Sequence, residues 1–372
     1  MKRRRVMLVA GARPNFMKIA PVHRALAARS SIETVLVHTG QHYDEAMSRL
    51  FFDQLGIPEP EINLEVGSAS HALQTAEIMR RFEPVVLDRR PDLVVVVGDV
   101  NSTAACALVA KKIPGVGLAH VEAGLRSFDR SMPEEINRLV TDALSDLLFT
   151  SEPSGARNLR REGVDPRHVH FVGNVMIDTL EAHLPRARQT GAVEAFGLAA
   201  GGYVLVTMHR PANVDDAAVF DPLMDALARL AADRPVVFPV HPRTRPALDR
   251  WRGARQELPA GLRLVDPLGY LEFLDLMAHA QLVLTDSGGV QEETTALGVP
   301  CLTLRPNTER PVTVDEGTNE LVGQDADRLL RRARAILAGE APRGRRPALW
   351  DGRAAERIAD VIERWDGTPR ER

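Results

Sequence analysis

The chain has 372 residues, of which 44% are hydrophobic and 26% charged, with a formal net charge of −3. That balance describes an ordinary globular protein, long enough to divide into two domains, and it gives no electrostatic case for a nucleic-acid partner. The two cysteines, Cys106 and Cys301, lie in apolar contexts without metal-ligand or disulfide-framework spacing, and they read as buried thiols of a reducing compartment.

Lys2–Arg5 is a basic start, but the apolar run behind it is broken by Arg13 and Pro14. It is too short for export or membrane insertion, so the expectation is a cytoplasmic protein without a membrane partner. Short β-branched runs then recur, each followed by a longer helical pattern. They are Val6–Ala10, Thr34–Val37, Leu93–Val97, Val116–Ala119 and Leu147–Thr150 in the first half. In the second half they are Tyr203–Thr207, Val236–Val240, Leu262–Val265, Leu282–Thr285 and Cys301–Leu304. Continuous Val/Ile/Leu runs without polar alternation indicate parallel strands covered on both faces. Strand–helix alternation through both halves predicts an α/β protein of two doubly wound, Rossmann-like domains. The expected division is 1–178, a linker over 179–202, a second domain over 203–350 and a final helix in 351–372. Arg328–Arg334 is a basic run on a predicted helix and reads as a solvated face.

In open α/β sheets ligands bind beyond the carboxyl ends of strands, and polar residues stand at five such positions. Gly11 and Arg13 follow the first strand, with Lys18 about one helical turn on. Gly98-Asp99 precedes Asn101-Ser102-Thr103, which can cap a helix. His120 and Glu122 end another strand and begin HVEAGLRSFDRSMPEEINR, where Glu122, Asp129, Glu134 and Glu135 stand among Arg126, Arg130 and Arg138. Carboxylates beside arginines suit proton transfer next to an anionic ligand; a solvated loop would carry the same charges. Met208-His209-Arg210 ends the first strand of the second half. His209 reads either as an acid or donor to a leaving phosphate, or as a satisfied structural group.

Asp286-Ser287-Gly288-Gly289 opens a helix. Two glycines and a serine there expose backbone N–H groups at the positive end of the dipole, which is a phosphate cradle; a plain N-cap is the alternative. Glu292 and Glu293 in the first turn either stabilise the dipole or bond ribose hydroxyls just beyond the phosphates. With Arg13, Lys18 and Arg310 available, a nucleoside diphosphate fits better than an isolated anion. No metal-site spacing, GxSxG elbow or GxxxxGK[ST] loop is present in the sequence, which argues against metalloenzyme, α/β-hydrolase and P-loop readings.

Taken together and in order, GARPNFMKIAPV, GDVNST, HVEAGLRS, MPEEINR, TDSGGVQEE and TERP resemble the non-hydrolysing UDP-N-acetylglucosamine 2-epimerases, from the first strand to beyond Arg310. The resemblance implies the GT-B fold, with two domains facing across a cleft and the C-terminal helix crossing back to the first domain. It implies interconversion of UDP-N-acetylglucosamine and UDP-N-acetylmannosamine through elimination and re-addition of UDP, with a 2-acetamidoglucal between. It also implies a homodimer, a role in polysaccharide precursor supply, and no cofactor or metal. Matched motif by motif, Asp99, Glu122 and Glu134 would be the acid/base carboxylates, and His209 would assist the departing phosphate. Arg13, Lys18, Ser287, Gly288, Gly289, Glu293 and Arg310 would bind UDP, with Phe273 bordering the uracil.

The sequence departs from the family where Asn15 replaces a glutamate, where HRPAN puts Pro211 and Ala212 in place of Arg and Glu, and at Leu268, where glutamine is common. The second of these regions, with Gln41-His42, helps hold an activating second substrate in bacterial members, so that site is expected to be altered here. Related readings are a 2-epimerase of another UDP-2-acetamido sugar, a GT-B glycosyltransferase, and a non-catalytic UDP-sugar binder.

Overall fold

The computed structural model describes residues 3–40, 56, 59–255, 257–368 and 370, and for residues 13 and 14 the backbone alone. Gln41 and His42 lie outside the described residues. The chain divides into two compact units, Met1–Ala182 with Ala348–Arg372, and His183–Pro347.

The first unit holds β1 (Arg4–Ala10), β2 (Ile32–His38), β3 (Ile62–Asn63), β4 (Leu93–Val97), β5 (Gly117–Val121), β6 (Leu147–Thr150) and β7 (Val169–Phe171). They form one parallel sheet in the order β3-β2-β1-β4-β5-β6-β7. Every residue of β4 and β5 is buried, which is why β4 reads as an unbroken apolar run and β5 as one interrupted only by His120. Met7, Val9, Val94 and Val96 pack with Ile78 and Phe82 of the helix His71–Arg89 and with Cys106. Burial pushes the Cys106 thiol up, so it is an inert core group.

The second unit holds β8 (Val204–Thr207), β9 (Val236–Pro239), β10 (Leu262–Val265), β11 (Leu282–Thr285), β12 (Cys301–Thr303) and β13 (Asn319–Leu321). Its parallel sheet runs β10-β9-β8-β11-β12-β13. Phe220, Phe238 and Trp251 fill its core. Both sheets therefore reverse their strand order once, between β1 and β4 and between β8 and β11. Those are the places where loops from neighbouring strands diverge and leave a crevice at the carboxyl ends.

The helix Ala354–Arg364 is amphipathic and belongs to the first unit. Asp178 accepts from the backbone N–H groups of Ala354 and Ala355 at 3.0 and 2.7 Å. Trp350, fully buried, donates its indole N–H to the Ser151 carbonyl at 2.9 Å. Arg4 donates to the carbonyls of Ile362 and Trp365. Two bonds to its first turn and two to its last fix the helix at both ends. Among the described residues no helix is long and apolar enough to cross a membrane.

Candidate active site

In the first unit the chain leaves β1 through Gly11-Ala12 and enters the helix Arg13–Ala27, whose N-cap is alanine and has no side-chain acceptor. Asn15 supplies one. Its side-chain oxygen accepts from the N–H groups of Ala12 (2.9 Å) and Gly11 (3.3 Å), while its Nδ2 donates to the Val97 carbonyl at 3.1 Å. An amide accepts through its oxygen and donates through its nitrogen, whereas an ionised carboxylate only accepts, so Asn15 ties the start of this helix to the end of β4 in a way an ionised glutamate could not. Of Arg13 only the backbone is described.

Lys18, one turn on and 7% exposed, places Nζ 2.5 Å from Glu122 Oε2. Its immediate partner is therefore a carboxylate of its own unit. Gly98 (φ +69°) lets the chain turn beneath this pair, since a Cβ there would lie 3.3 Å from Lys18 Nζ and 3.7 Å from Glu122 Oε2. Asp99 follows, and its partly exposed carboxylate pairs with Arg138. Asn137 donates to the Asp99 carbonyl at 2.9 Å.

Glu122 sits at φ +72°, a region that costs a side-chain-bearing residue about 1–3 kcal/mol and is kept where function demands it. It is 4% exposed. Its Oε1 is buried and has no hydrogen-bond partner among the described residues. A buried, unpartnered carboxylate oxygen is costly, and a ligand is what would satisfy it.

The helix Pro133–Leu144 carries two glutamates in its first turn with different duties. Glu135 is buried and accepts from Ser127 N–H, Ser127 Oγ and Phe128 N–H, each at 3.0 Å, and from Arg138 at 2.7 Å. Burial opposes its ionisation, but those donors outweigh burial and hold its carboxyl below the usual range. Glu134 is half-buried and makes no hydrogen bond or ion pair among the described residues. Arg138 and Arg126 are likewise occupied: Arg138 bridges Asp99 and Glu135, and Arg126 holds Asp142 and Glu162, each at 2.7 Å.

In the second unit the residue that organises the site is Asp286. It is fully buried and accepts from the N–H groups of His209 (2.9 Å) and Arg210 (2.8 Å) and from Asn213 Nδ2 (3.0 Å), and it lies 3.1 Å from His209 Nδ1. Burial opposes ionisation of Asp286; the His209 ring and the backbone donors prevail and hold it low. The carboxylate thereby joins the loop after β8 to the loop after β11 and orients His209. The Nε2 of His209 has no partner among the described residues, and its side chain is 36% exposed.

Ser287 caps the helix Gly288–Leu297 without a side-chain bond. The N–H groups of Gly288 and Gly289 find no backbone partner among the described residues, as an anion cradle requires. A Cβ at Gly288 would meet Arg310 Nη1 at 2.8 Å, so a side chain there would displace the guanidinium. Arg310 is held over the turn by Glu292 (2.7 Å) and Glu309 (2.5 Å). Glu309 also binds Arg305 at 2.7 Å and has Arg210 at 4.0 Å.

Glu293 is buried and accepts from the Tyr270 hydroxyl at 3.0 Å. Phe273 lies half-buried three residues beyond Tyr270, on the same side of the helix Tyr270–His279. Burial, with Glu292 beside it, raises Glu293 to about 7. Since the folded value lies above the ordinary 4.5, ionisation of Glu293 opposes folding. The penalty is absent below pH about 4.5, grows as pH rises towards about 7, and is complete above it. Glu293→Gln is thus expected to gain stability over the wild type by on the order of 3 kcal/mol between about pH 4 and pH 8. Urea unfolding at both pH values checks this, and a stability difference independent of pH would contradict it.

The structure therefore pairs Lys18 with Glu122 in the first unit, sets Gly98, the residue before Asp99, beneath that pair, and puts Glu134 on the helix that delivers Arg138 to Asp99. In the second it brings together His209, Ser287, Gly288 and Arg310, with Gly289 in the same turn, and sets Glu293 and Phe273 about Tyr270. Sequence reasoning missed Tyr270, Asp142 and Glu309, and it left unassigned the bracing of Asp99 by Arg138. The four-residue spacing of Arg305 and Glu309 was the available signal for that pair. Among the described residues no group of three or more His, Cys, Asp or Glu is placed to hold a metal ion.

Two doubly wound α/β domains thus carry these groups, a Ser-Gly-Gly turn at a helix N-terminus in one and carboxylates beyond the ends of β4 and β5 in the other. The profile of the family described as UDP-N-acetylglucosamine 2-epimerase matches residues 24–363. A UDP-N-acetylglucosamine 2-epimerase of Methanocaldococcus jannaschii is 40% identical over 96% of this chain and 98% of its own. A UDP-2,3-diacetamido-2,3-dideoxy-D-glucuronate 2-epimerase of Pseudomonas aeruginosa is also 40% identical, over 96% of this chain and 99% of its own. The crystal structure of the Methanocaldococcus jannaschii enzyme in complex with UDP-GlcNAc and UDP superposes with a TM-score of 0.87 at 40% identity, covering 96% of this chain and 99% of that one. The chain belongs to the UDP-N-acetylglucosamine 2-epimerase family, whose members are isomerases.

Proposed function

We propose that this chain inverts carbon 2 of UDP-N-acetylglucosamine to give UDP-N-acetylmannosamine, by eliminating UDP and adding it back. The observation that carries this reading is the buried Glu122 carboxylate, ion-paired to Lys18 through one oxygen and unpartnered at the other among the described residues, above the Gly98 turn that leads into Asp99. The carbon-2 proton has no adjacent carbonyl to acidify it, so direct deprotonation has no stabilised carbanion. Elimination provides a route. A carboxylate takes the proton, the C2–H electrons become the C1=C2 bond, and the C1–O electrons leave with the β-phosphate oxygen of UDP. A second acid then delivers a proton to the opposite face of carbon 2 as UDP re-attacks carbon 1. Two faces require two acid/base positions, which Asp99, Glu122 and Glu134 supply.

In this scheme residues 1–178 carry the proton chemistry and residues 203–350 hold UDP. Gly288 and Gly289 N–H groups, Ser287 and Arg310 serve the diphosphate, Glu293 the ribose and Phe273 the uracil. His209, held through Nδ1 by Asp286, offers Nε2 to the departing phosphate. We assign the enzyme, on the same family likeness, to the cytoplasm and to a homodimer, which sedimentation equilibrium tests.

Incubation with UDP-N-acetylglucosamine in deuterated water is expected to yield both epimers carrying deuterium at carbon 2, read by NMR. Turnover without solvent label at carbon 2 would refute the mechanism. A second reading, a 2-epimerase of a diacetamido uronate, is favoured by the equally similar Pseudomonas aeruginosa relative. Comparing kcat/KM for the two substrates decides between them.

A further inference from the structure

We propose that His120 is a positioning residue for Asp99, acting with Asp142 as a buried clamp that holds the two carboxylate-bearing loops of the first unit in register. The inference rests on the proton-transfer role assigned to Asp99 above. His120 is 0% exposed and Asp142 1%. The ring Nε2 donates to the Gly98 carbonyl at 2.9 Å, immediately before Asp99. Its Nδ1 lies 2.6 Å from Asp142 Oδ1. The other oxygen of Asp142 accepts from Gly124 N–H at 2.9 Å, two residues beyond Glu122, and pairs with Arg126 at 2.7 Å.

The Gly98 carbonyl has no N–H or O–H of its own, so the imidazole must donate there, and no apolar core residue can replace it. His120 and Asp142 reach no solvent, whereas the Asp99 side chain is 28% exposed. The clamp therefore acts from beneath, on the peptide that aims Asp99. Displacement of a catalytic group by about 1 Å costs roughly 100-fold in rate. Substrate binding, which draws on other groups, is left intact.

Two substitutions separate this role from a merely structural one. In His120→Asn the amide nitrogen overlays Nδ1, keeping the bond to Asp142 and losing the bond to Gly98. In His120→Gln it overlays Nε2, keeping the bond to Gly98 and losing the bond to Asp142. His120→Asn is expected to lower kcat about 100-fold with KM within about twofold of wild type, and His120→Gln to stay within about tenfold of wild-type kcat. Amide hydrogen exchange by mass spectrometry is expected to speed up in the 98–100 segment of His120→Asn and to stay unchanged in 204–207.

Equal losses of kcat in the two variants, or an unchanged 98–100 segment in His120→Asn, would overturn the proposal. Should His120→Asn not fold, His120→Gln alone decides: a folded but inactive protein overturns the clamp, and an active one supports it. The exchange measurement needs no turnover, so failure of the clamp and failure of the epimerase reading are told apart.

Discussion

Asp99→Asn is expected to lose epimerisation and carbon-2 deuterium exchange by about 10³-fold while the protein still binds UDP. General acid/base catalysis contributes about 10²–10⁴, and an amide of the same shape can neither take nor return the proton. The fold should tolerate the change because Arg138 does not become an orphaned buried charge. It keeps Glu135 at 2.7 Å, and Asp99 itself is partly exposed, so its loss leaves no uncompensated buried group. UDP affinity, measured by calorimetry, should stay within a few-fold of wild type. An Asp99→Asn protein that still exchanges carbon 2 at more than a tenth of the wild-type rate would remove Asp99 from the mechanism. Equal loss of UDP binding would mean that the residue holds the ligand rather than acting on it.

Glu309→Ala carries the largest expected effect on stability, a loss of about 3–5 kcal/mol from the second unit. Glu309 is 3% exposed and lies between Arg305 and Arg310, with Arg210 nearby. Burial works against its charge, but Arg310 and Arg305 hold its carboxyl far below the usual range. Removing it leaves Arg305 buried without that carboxylate. It also frees Arg310 from one of the two anions that pin it over Gly288, so UDP affinity should fall with stability. A depressed folded value means that the stabilisation is complete above the unfolded value of about 4.5 and declines as pH drops below it. The wild type is therefore expected to lose stability below about pH 4.5 more steeply than Glu309→Ala. Denaturant midpoints across that range measure the difference, and parallel curves would show that the pair network contributes nothing.

Most strands that were readable in the sequence are buried on both faces, the edge strand Leu262–Val265 being an exception. Leu93–Val97 and Leu282–Thr285 are central in their sheets, and their positions demand apolar residues throughout. The strands that escaped notice, Ile62–Asn63, Val169–Phe171 and Asn319–Leu321, are all sheet edges of two or three residues. With one neighbour and partial exposure they need no apolar run, so no pattern marks them. The final helix was expected from the sequence, but only the family resemblance pointed to its partner, the first domain, because the Asp178 that caps it lies 176 residues away.

Local chemistry at single strand ends was determined by the sequence itself. Gly98 must turn with positive φ, Ser287-Gly288-Gly289 must leave N–H groups open at a helix start, and carboxylates must follow β4 and β5; each depends on neighbours within a turn. The pairing of charges was decided by tertiary structure alone. Lys18 pairs with Glu122, Arg138 was one arginine among several and braces Asp99, and His120 reaches Gly98 at the end of the neighbouring strand. Ion pairs and buried hydrogen bonds join residues set side by side by sheet order, and parallel strands bring together residues tens of positions apart. No local spacing rule records which of several equal charges will meet.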